Sequence, residues 1–283
     1  MIRRMRPWRL FAALLLAILA WGLPTVSRSG QLADAVVAVD VGHSHKRSGA
    51  RSARGVPEYR FNLDMARLVV EELHRAGLPK AVLLDADGAD IPPAGRARRA
   101  NRNKAAVLVS IHHDSVQPHY LEDWIFEGRR GRYCDRFAGY SLFFSAKNPT
   151  AGPSLDLAKT IGESLREAGF TPTAHHAEPI RGENREMVDP ERGVYRYDGL
   201  AVLGRAAMPA VLVECGVIVN RDEETALTDP DRRTRQARAI ARGVAAFLER
   251  HLKHAVRSAV SPDTFARTYN SVVHRPRLSI SSL

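Results

Sequence analysis

Short apolar runs alternate with helix-like patterns along the chain, and this alternation constrains the fold more than any other feature. Strand-like runs at residues 36–39, 82–84 and 107–112 are separated by two helix-like segments, one that ends at Gly77 and one at residues 96–104. An order of strand, helix, strand, helix, strand indicates an α/β fold. Such a fold has a largely parallel sheet with helices on its faces.

The second half of the chain continues this pattern with two interruptions. Strands are predicted at residues 140–145 and 210–214, with a helix between them and a last helix that begins at Asp229-Pro230. Residues 115–139 are polar and aromatic and predict a long inserted loop, and residues 171–192 are also irregular. The length of 283 residues and the hydrophobic content of 45% suit one domain. We place this domain at residues 35–252, followed by a tail at residues 253–283.

The first 28 residues differ from the rest of the chain. Arginines at positions 3, 4, 6 and 9 precede an uncharged run at residues 10–26, which Gly22 and Pro24 interrupt. This pattern is typical of a secretory signal peptide, because a membrane span needs about 20 unbroken apolar residues. A permanent N-terminal anchor is the alternative, since no sharp cleavage site of small residues is present. Both interpretations predict export to the periplasm or cell envelope, with a membrane contact only through an uncleaved N-terminal segment.

The net charge argues against a nucleic-acid partner. The full chain carries a formal charge of +11, and without the five arginines of residues 1–28 the remainder carries +6. The basic residues of this remainder are interspersed with acidic ones, whereas nucleic-acid binding needs a concentrated basic stripe. A mildly basic surface of this kind suits an anionic cell envelope.

Two cysteines, Cys134 and Cys215, leave the question of a disulfide open. One bond is compatible with an exported chain, but nothing in the sequence places the two Cα atoms within bridging distance. Cys215 lies in an apolar segment, which favours a small buried packing residue over a nucleophile. A cysteine hydrolase is therefore disfavoured.

Four side chains with metal-binding or acid–base chemistry fall where predicted strands give way to loops. His43 follows the first strand, Glu58 begins the first helix, and His112 and Glu214 end later strands. The carboxyl edge of an open α/β sheet is where ligands bind. Two imidazoles and a carboxylate can hold a catalytic zinc ion with an open position for water, and a second carboxylate can act as the base. Glu214 fits the role of this base.

Each of these residues also has an ordinary structural explanation. A histidine after a strand often makes loop hydrogen bonds, and a glutamate at a helix start favours the helix dipole. Glu214, however, directly follows four apolar residues, and burying such an acid without a partner is costly. A functional site therefore explains Glu214 better than packing does.

Two pairs of neighbouring histidines need separate interpretations. His112 and His113 point to opposite faces of a strand, so both cannot bind one ion, and we choose His112. Asp114 shares the face of His112 if the strand continues, and it is a candidate hydrogen-bonding partner of the site. His175 and His176 lie in the irregular stretch, where we interpret them as surface loop residues rather than as part of the cleft.

Five short motifs occur in a fixed order along the chain. They are Asp40-Val-Gly-His-Ser, Gly55-Val-Pro-Glu before a helix, Arg99-Ala-Asn, Val109-Ser-Ile-His-His-Asp and Pro209-Ala-Val-Leu-Val-Glu-Cys-Gly. Together these motifs resemble the zinc-dependent N-acetylmuramoyl-L-alanine amidases of the type 3 family. The resemblance extends over residues 36–250.

The resemblance implies a single catalytic domain on a mixed, mostly parallel sheet of about six strands flanked by helices. It implies that His43, Glu58 and His112 bind one Zn²⁺ ion and that Glu214 is the catalytic acid and base. The bond cleaved would be the amide between the lactyl group of N-acetylmuramic acid and the first L-alanine of the stem peptide. Peptidoglycan is therefore the expected partner, and a protein activator is a further candidate partner.

This chain departs from the family pattern at two positions and in one insertion. Ser44 stands where the family commonly has a glycine and His113 where it commonly has an alanine, and neither is a predicted ligand. The insertion at residues 115–139 follows His112 closely and is predicted to shape substrate access or to cover the site. Another zinc-dependent peptidase or amide hydrolase on the same scaffold is the alternative function. A nonenzymatic wall-binding module is disfavoured because all four site residues are present.

Overall fold

The centre of the fold is a mixed sheet. The computed structural model describes residues 32–84 and 87–259, and within them it contains a seven-stranded sheet and a separate two-stranded hairpin. The predicted N-terminal segment at residues 1–28 lies outside the described residues, as do residues 260–283 of the predicted tail. The strands are β1 (Val37–Val41), β2 (Ala81–Leu84), β3 (Val107–Asp114), β4 (Glu122–Phe126), β5 (Arg129–Tyr133), β6 (Ser141–Phe144), β7 (Glu186–Asp189), β8 (Val194–Arg196) and β9 (Ala210–Val217).

The strand order places the ends of β1, β3 and β9 side by side. In the large sheet the order is β2-β1-β3-β9-β6-β8-β7. The strands β2, β1, β3 and β9 run parallel to one another, β6 and β8 run in the opposite direction, and β7 reverses again. Because the carboxyl ends of parallel strands meet at one edge, residues that end or follow β1, β3 and β9 come together there.

Helices cover both faces of the sheet, and each face buries its own apolar cluster. On one face, Val39 and Val109 pack with Met65 and Ile161, and on the other face Leu108 packs against a short helix near β9. Successive strand residues divide between the two clusters because side chains alternate across a sheet. The helices are α1 (Glu58–Arg75), α2 (Pro93–Arg102), α3 (Ala151–Glu167), α4 (Ala201–Gly204), α5 (Arg221–Thr228) and α6 (Pro230–Ala259).

The predicted α/β class and the mostly parallel sheet are confirmed, with two additions. The sheet has seven strands rather than about six, because β7 and β8 form in and just after the stretch that the sequence leaves irregular. The last helix begins at Pro230 as predicted, and Asp229 caps it by accepting a hydrogen bond from the Arg232 amide at 2.7 Å. This helix continues to Ala259, past the predicted domain end at residue 252.

Among the helices of residues 32–84 and 87–259, none has both the length and the apolar composition that a membrane span requires.

The predicted inserted loop at residues 115–139 contains a β-hairpin formed by β4 and β5. Its turn residues Glu127 and Gly128 both have positive φ, 47° and 74°. Two consecutive residues of this kind suit the right-handed twist of a hairpin, but glutamate is an unusual choice for the first of them. The sequence does not predict this hairpin, because charged residues in β5 replace the alternation of apolar and polar residues that is typical of a strand.

Candidate metal centre and active site

The turn after β1 positions His43. Its φ is 67°, in the left-handed region that residues other than glycine rarely adopt. The guanidinium of Arg96 donates hydrogen bonds to the carbonyl oxygens of Val41 and His43 and pairs with the buried carboxylate of Asp40 at 3.1 Å. The strained backbone at His43 is therefore held by a buried arginine from α2.

Glu58, the first residue of α1, lies between two histidines. Its Oε2 is 3.0 Å from Nε2 of His43, and its Oε1 is 3.2 Å from Nδ1 of His112. The backbone amide of Ala50 and the side chain of Asn62 also donate hydrogen bonds to this carboxylate, at 3.1 and 3.0 Å. Burial raises the pKa of Glu58, but hydrogen bonds from the two histidines outweigh this effect and hold the pKa well below its ordinary value. The carboxyl group is therefore ionised, which is the form that binds a cation.

Two glycines allow the backbone to approach these side chains closely. A Cβ atom at Gly42 would lie 2.5 Å from Nε2 of His112, and one at Gly49 would lie 2.3 Å from Oε2 of Glu58. Gly49 also has a φ of 76°, which favours glycine. Neither position can accept a larger residue unless a side chain of the site moves.

His43, Glu58 and His112 form what we call the first histidine cluster. One potential ligand atom from each residue lies within 4.8 Å of the other two, and the two imidazole rings are 5.0 Å apart between centroids. The histidine side chains are partly exposed, at 32% and 17%, whereas Glu58 is buried. Two imidazole nitrogens and one carboxylate at an accessible edge are a donor set that fits zinc. The structure thus brings the three predicted ligands together.

Glu214 lies directly opposite His112 in the register between β3 and β9. Paired residues of parallel strands project on the same face, so the two side chains share one side of the sheet. The Oε2 atom of Glu214 is buried and has no hydrogen-bond partner among the described residues. Burial raises the pKa of Glu214 well above its ordinary value, and the charges of Asp114 and Glu58 add to this effect. Such a carboxyl group is suited to accept and return a proton.

Two neighbouring cavities adjoin these residues. One, of about 300 Å³, is lined by both histidines of the first cluster, His43 and His112. The other, of about 280 Å³, is lined by Glu214. Leu200 and Leu212 line both cavities. The two spaces are therefore neighbours that share part of one wall, with the cluster beside one and Glu214 beside the other.

Asp114, His175 and His176 form a second histidine cluster at the end of β3. The Oδ2 atom of Asp114 is 2.7 Å from Nε2 of His176 and 3.3 Å from Nε2 of His175. Both histidines are buried, so their interpretation as surface loop residues is wrong. A 3-10 turn, His175–Ala177, directs the two rings inward against Phe137 and Phe143.

His113 lies on the other face of β3, as the alternation of strand side chains requires. Its Nδ1 is 2.8 Å from Oδ1 of Asn62, and its ring packs against Phe61. Burial lowers the pKa of His113 to about 3, so the ring is neutral at physiological pH. Strand geometry therefore separates His113 from the first histidine cluster.

Both cysteines are free and buried. The disulfide that the sequence left open is therefore not formed between Cys134 and Cys215. Burial raises the pKa of the Cys215 thiol, and a thiol of this kind is a poor nucleophile. The interpretation of Cys215 as a packing residue is confirmed, because it is 1% exposed within the main apolar cluster.

The hairpin of the insertion packs against the loop that leads to Glu58. The indole nitrogen of Trp124 donates a hydrogen bond to the carbonyl oxygen of Ala53 at 2.9 Å, and the guanidinium of Arg54 lies 5.8 Å from the Trp124 ring centroid. The backbone amide of Cys134, just after β5, also donates to the carbonyl oxygen of Val219. The hairpin is thus fixed on two sides, and a covering role for it stays a prediction.

Two residues that position the first cluster were missed by sequence reasoning. Asn62 follows Glu58 by one helical turn, so the helical spacing was an available signal. Arg96 gave no local signal, because Asp40 and the carbonyl oxygen of His43 precede it by 56 and 53 residues. Only the folded sheet brings Arg96 to the turn after β1.

Comparisons with known proteins agree on one family. The model of the Amidase_3 family, described as N-acetylmuramoyl-L-alanine amidase, matches residues 37–246. An N-acetylmuramoyl-L-alanine amidase of Mycobacterium tuberculosis is 27% identical over 205 residues, which cover 71% of this chain and 73% of that protein. A probable N-acetylmuramoyl-L-alanine amidase, AmiB of Haemophilus influenzae, is 27% identical over 79% of this chain, which matches only 54% of that protein.

Solved structures give the same result for the fold. The crystal structure of the N-acetylmuramyl-L-alanine amidase Ami1 from Mycobacterium smegmatis has a TM-score of 0.60 and 26% identity, and the match covers 77% of this chain and 98% of that one. The catalytic domain of the amidase CwlV from Bacillus (Paenibacillus) polymyxa has a TM-score of 0.57 and 29% identity over 76% of this chain and 98% of that one. The chain therefore belongs to the N-acetylmuramoyl-L-alanine amidase family, whose members hydrolyse the amide bond between muramic acid and L-alanine in peptidoglycan.

Proposed function

We propose that the chain cleaves this amide with a zinc ion held by His43, Glu58 and His112 and with Glu214 as general base and acid. The observation that carries the proposal is the convergence of the three ligand atoms within 4.8 Å, with Glu214 opposite His112 on the neighbouring strand. The family supports the identity of the bond, and the donor chemistry supports the metal.

The side chains of the first cluster would prepare the site before substrate binds. A zinc ion bound there supplies a Lewis acid for the amide carbonyl and a water whose pKa is lowered to about 7. Glu58 is ionised and supplies negative charge between the two histidine rings. Asn62 and the backbone amide of Ala50 hold the Glu58 carboxylate in place, which fixes the orientation of the cluster.

Glu214 would carry the proton through the reaction. Its Oε2, which has no partner among the described residues, accepts a proton from the water whose oxygen bonds to the carbonyl carbon. When the carbon–nitrogen bond breaks, Glu214 returns the proton to the nitrogen of the departing L-alanine. The products are the lactyl carboxyl group on the glycan and a stem peptide with a free amino terminus.

The place of the substrate supports the predicted export of the chain. Peptidoglycan lies outside the cytoplasmic membrane, and the sequence pattern of residues 1–28, which lie outside the described residues, suits either a cleaved signal or an uncleaved anchor. Residues 3–9 supply the charged segment that precedes the apolar run. We therefore propose the periplasm or cell envelope as the site of action, and a protein activator stays a prediction from the sequence.

Digestion of purified cell-wall sacculi tests the proposed reaction. The protein is incubated with sacculi before and after chelation, and again after zinc is restored, and the soluble products are identified by mass spectrometry. We expect intact stem peptides with amino-terminal L-alanine, no release after chelation, and recovery of release with zinc. Cleavage inside the stem peptide would instead identify the alternative peptidase, and release that survives complete metal removal would refute the proposed zinc mechanism.

A further inference from the structure

The second histidine cluster, Asp114, His175 and His176, has no task in the proposed reaction. All three residues are buried, and one potential ligand atom from each lies within 4.8 Å of the other two. Asp114 comes from the end of β3, whereas the two histidines come from the 3-10 turn His175–Ala177. Two imidazoles and a carboxylate are costly to remove from water unless the interior gives each polar atom a partner.

Both rings of this cluster are oriented in the way that is usual for metal-binding histidines. The hydroxyl group of Thr173 lies 2.9 Å from Nδ1 of His175, and the carboxylate of Glu183 lies 2.9 Å from Nδ1 of His176. Each Nδ1 thus has its own oxygen partner, and the Nε2 atoms lie 3.3 Å (His175) and 2.7 Å (His176) from the Asp114 carboxylate. A ligating histidine typically has its second ring nitrogen held by an oxygen atom in this manner.

One buried atom of the cluster has a close neighbour but no well-aligned hydrogen bond. The Nε2 of His175 is 3.3 Å from Asp114 but makes no hydrogen bond of acceptable geometry within the described part of the chain. The side chain of His175 is 1% exposed, so bulk water does not serve it. A cation between the two Nε2 atoms and the Asp114 carboxylate would give this nitrogen a partner.

We propose that Asp114, His175 and His176 bind a second divalent metal ion, of the class that prefers imidazole nitrogen, with zinc as the representative ion. Asp114 lies two residues beyond His112 on the same face of β3, so the two clusters are neighbours with separate ligands. The ion ties the irregular segment around His175 to the end of β3. It thereby fixes a wall of the cavity that Glu214 lines, because His176 and Asp114 line the same cavity.

The competing explanation is a network of ion pairs without a metal. Burial lowers the pKa of His176, but Asp114 and Glu183 outweigh it and raise the pKa to about 9. A protonated His176 would then donate hydrogen bonds to both carboxylates, at 2.7 and 2.9 Å. This arrangement satisfies His176 but leaves Nε2 of His175 with only a poorly aligned contact to Asp114 at 3.3 Å.

Metal counting separates the two explanations. The full chain is loaded with excess Zn²⁺ and separated from free ion by gel filtration. The number of zinc ions per chain is then measured by inductively coupled plasma mass spectrometry. We expect about two ions for the wild-type chain and about one for the double variant His43→Ala/His112→Ala, which leaves the second cluster untouched. His175→Ala should also retain about one ion, and the exposed control His119→Ala should retain about two.

The outcomes also distinguish this proposal from the proposed amidase mechanism, because the assay counts ions rather than turnover. One ion in the wild-type chain and none in His43→Ala/His112→Ala would overturn the second site. One ion that is lost in His175→Ala but kept in His43→Ala/His112→Ala would overturn the first site instead. Circular dichroism of each variant establishes that it is folded, and the double variant keeps the test decisive if His175→Ala does not fold.

Discussion

The two histidine clusters have the same donor set but opposite access to solvent. The first cluster has histidine side chains that are 32% and 17% exposed and that line a cavity, whereas the side chains of the second are between 1% and 11% exposed. The first joins the ends of β1 and β3 to the start of α1, and the second joins β3 to an irregular segment. A substrate needs an accessible ion, so we assign chemistry to the first cluster and a structural role to the second.

The largest expected effect is a loss of activity that a variant of the first cluster should show and a variant of the second cluster should not. His112→Ala removes one of the three proposed ligands from the first cluster, so we expect the release of stem peptides to fall to the rate of an enzyme-free control. The loss of the metal removes several kcal/mol of transition-state stabilisation, and each 1.36 kcal/mol is about tenfold in rate. His175→Ala, measured in parallel on sacculi, should retain turnover. Full activity of a folded His112→Ala would contradict the assignment of the chemistry to the first cluster.

A second variant separates proton transfer from metal binding within the first site. Glu214→Gln keeps the size of the side chain but cannot accept the proton, so we expect the rate to fall by about 10²- to 10⁴-fold. Zinc content should equal that of the wild-type chain, because Glu214 is not a proposed ligand. The exposed Glu186 on β7 provides the control Glu186→Gln, which should leave the rate unchanged. If Glu214→Gln lost zinc in proportion to its loss of rate, Glu214 would be a metal ligand instead.

The sequence predicted the first cluster because its residues occupy regular positions. His43 follows β1, His112 and Glu214 lie in the carboxyl-terminal halves of β3 and β9, and Glu58 begins an amphipathic helix, so strand order brings them toward one edge. The same regularity predicted the parallel half of the sheet. Local patterns were sufficient there, because β1, β3 and β9 are mostly apolar and are buried on both faces.

The second cluster could not be predicted, because two of its three residues lie in an irregular segment. His175 and His176 sit among polar residues with no periodicity, and only the turn at residues 175–177 shows that they point inward. The hairpin of β4 and β5 was also not predicted, because its strands are largely exposed and charged and lack an apolar pattern. Arg96 was missed because its partner Asp40 is distant in the sequence. In each case tertiary contacts, rather than local pattern, decide the structure.

Arg96 offers a test of how the first cluster is held. Arg96→Gln leaves the buried carboxylate of Asp40 without its cation and frees the turn at His43, so we expect about 3–5 kcal/mol less unfolding free energy. Urea denaturation measures this loss, with the exposed Arg98→Gln of the same helix as control. Zinc at the second cluster of the folded variant should be unaffected. A stability equal to that of Arg98→Gln would show that the buried pair does not hold the turn.

The smallest expected effect concerns the residue that orients His176. The carboxylate of Glu183 accepts a hydrogen bond from Nδ1 of His176 and another from the side chain of Gln117 at 2.7 Å. Loss of an outer partner of a ligating histidine typically lowers metal affinity by about 10- to 100-fold, so Glu183→Gln should weaken zinc binding at the second cluster by that factor. Competition with a chromophoric chelator, in the His43→Ala/His112→Ala background, measures the change without interference from the first site. If Glu183 only completes a metal-free ion-pair network, that background binds no zinc and Glu183→Gln changes stability alone, so the two clusters would share a donor set but not a function.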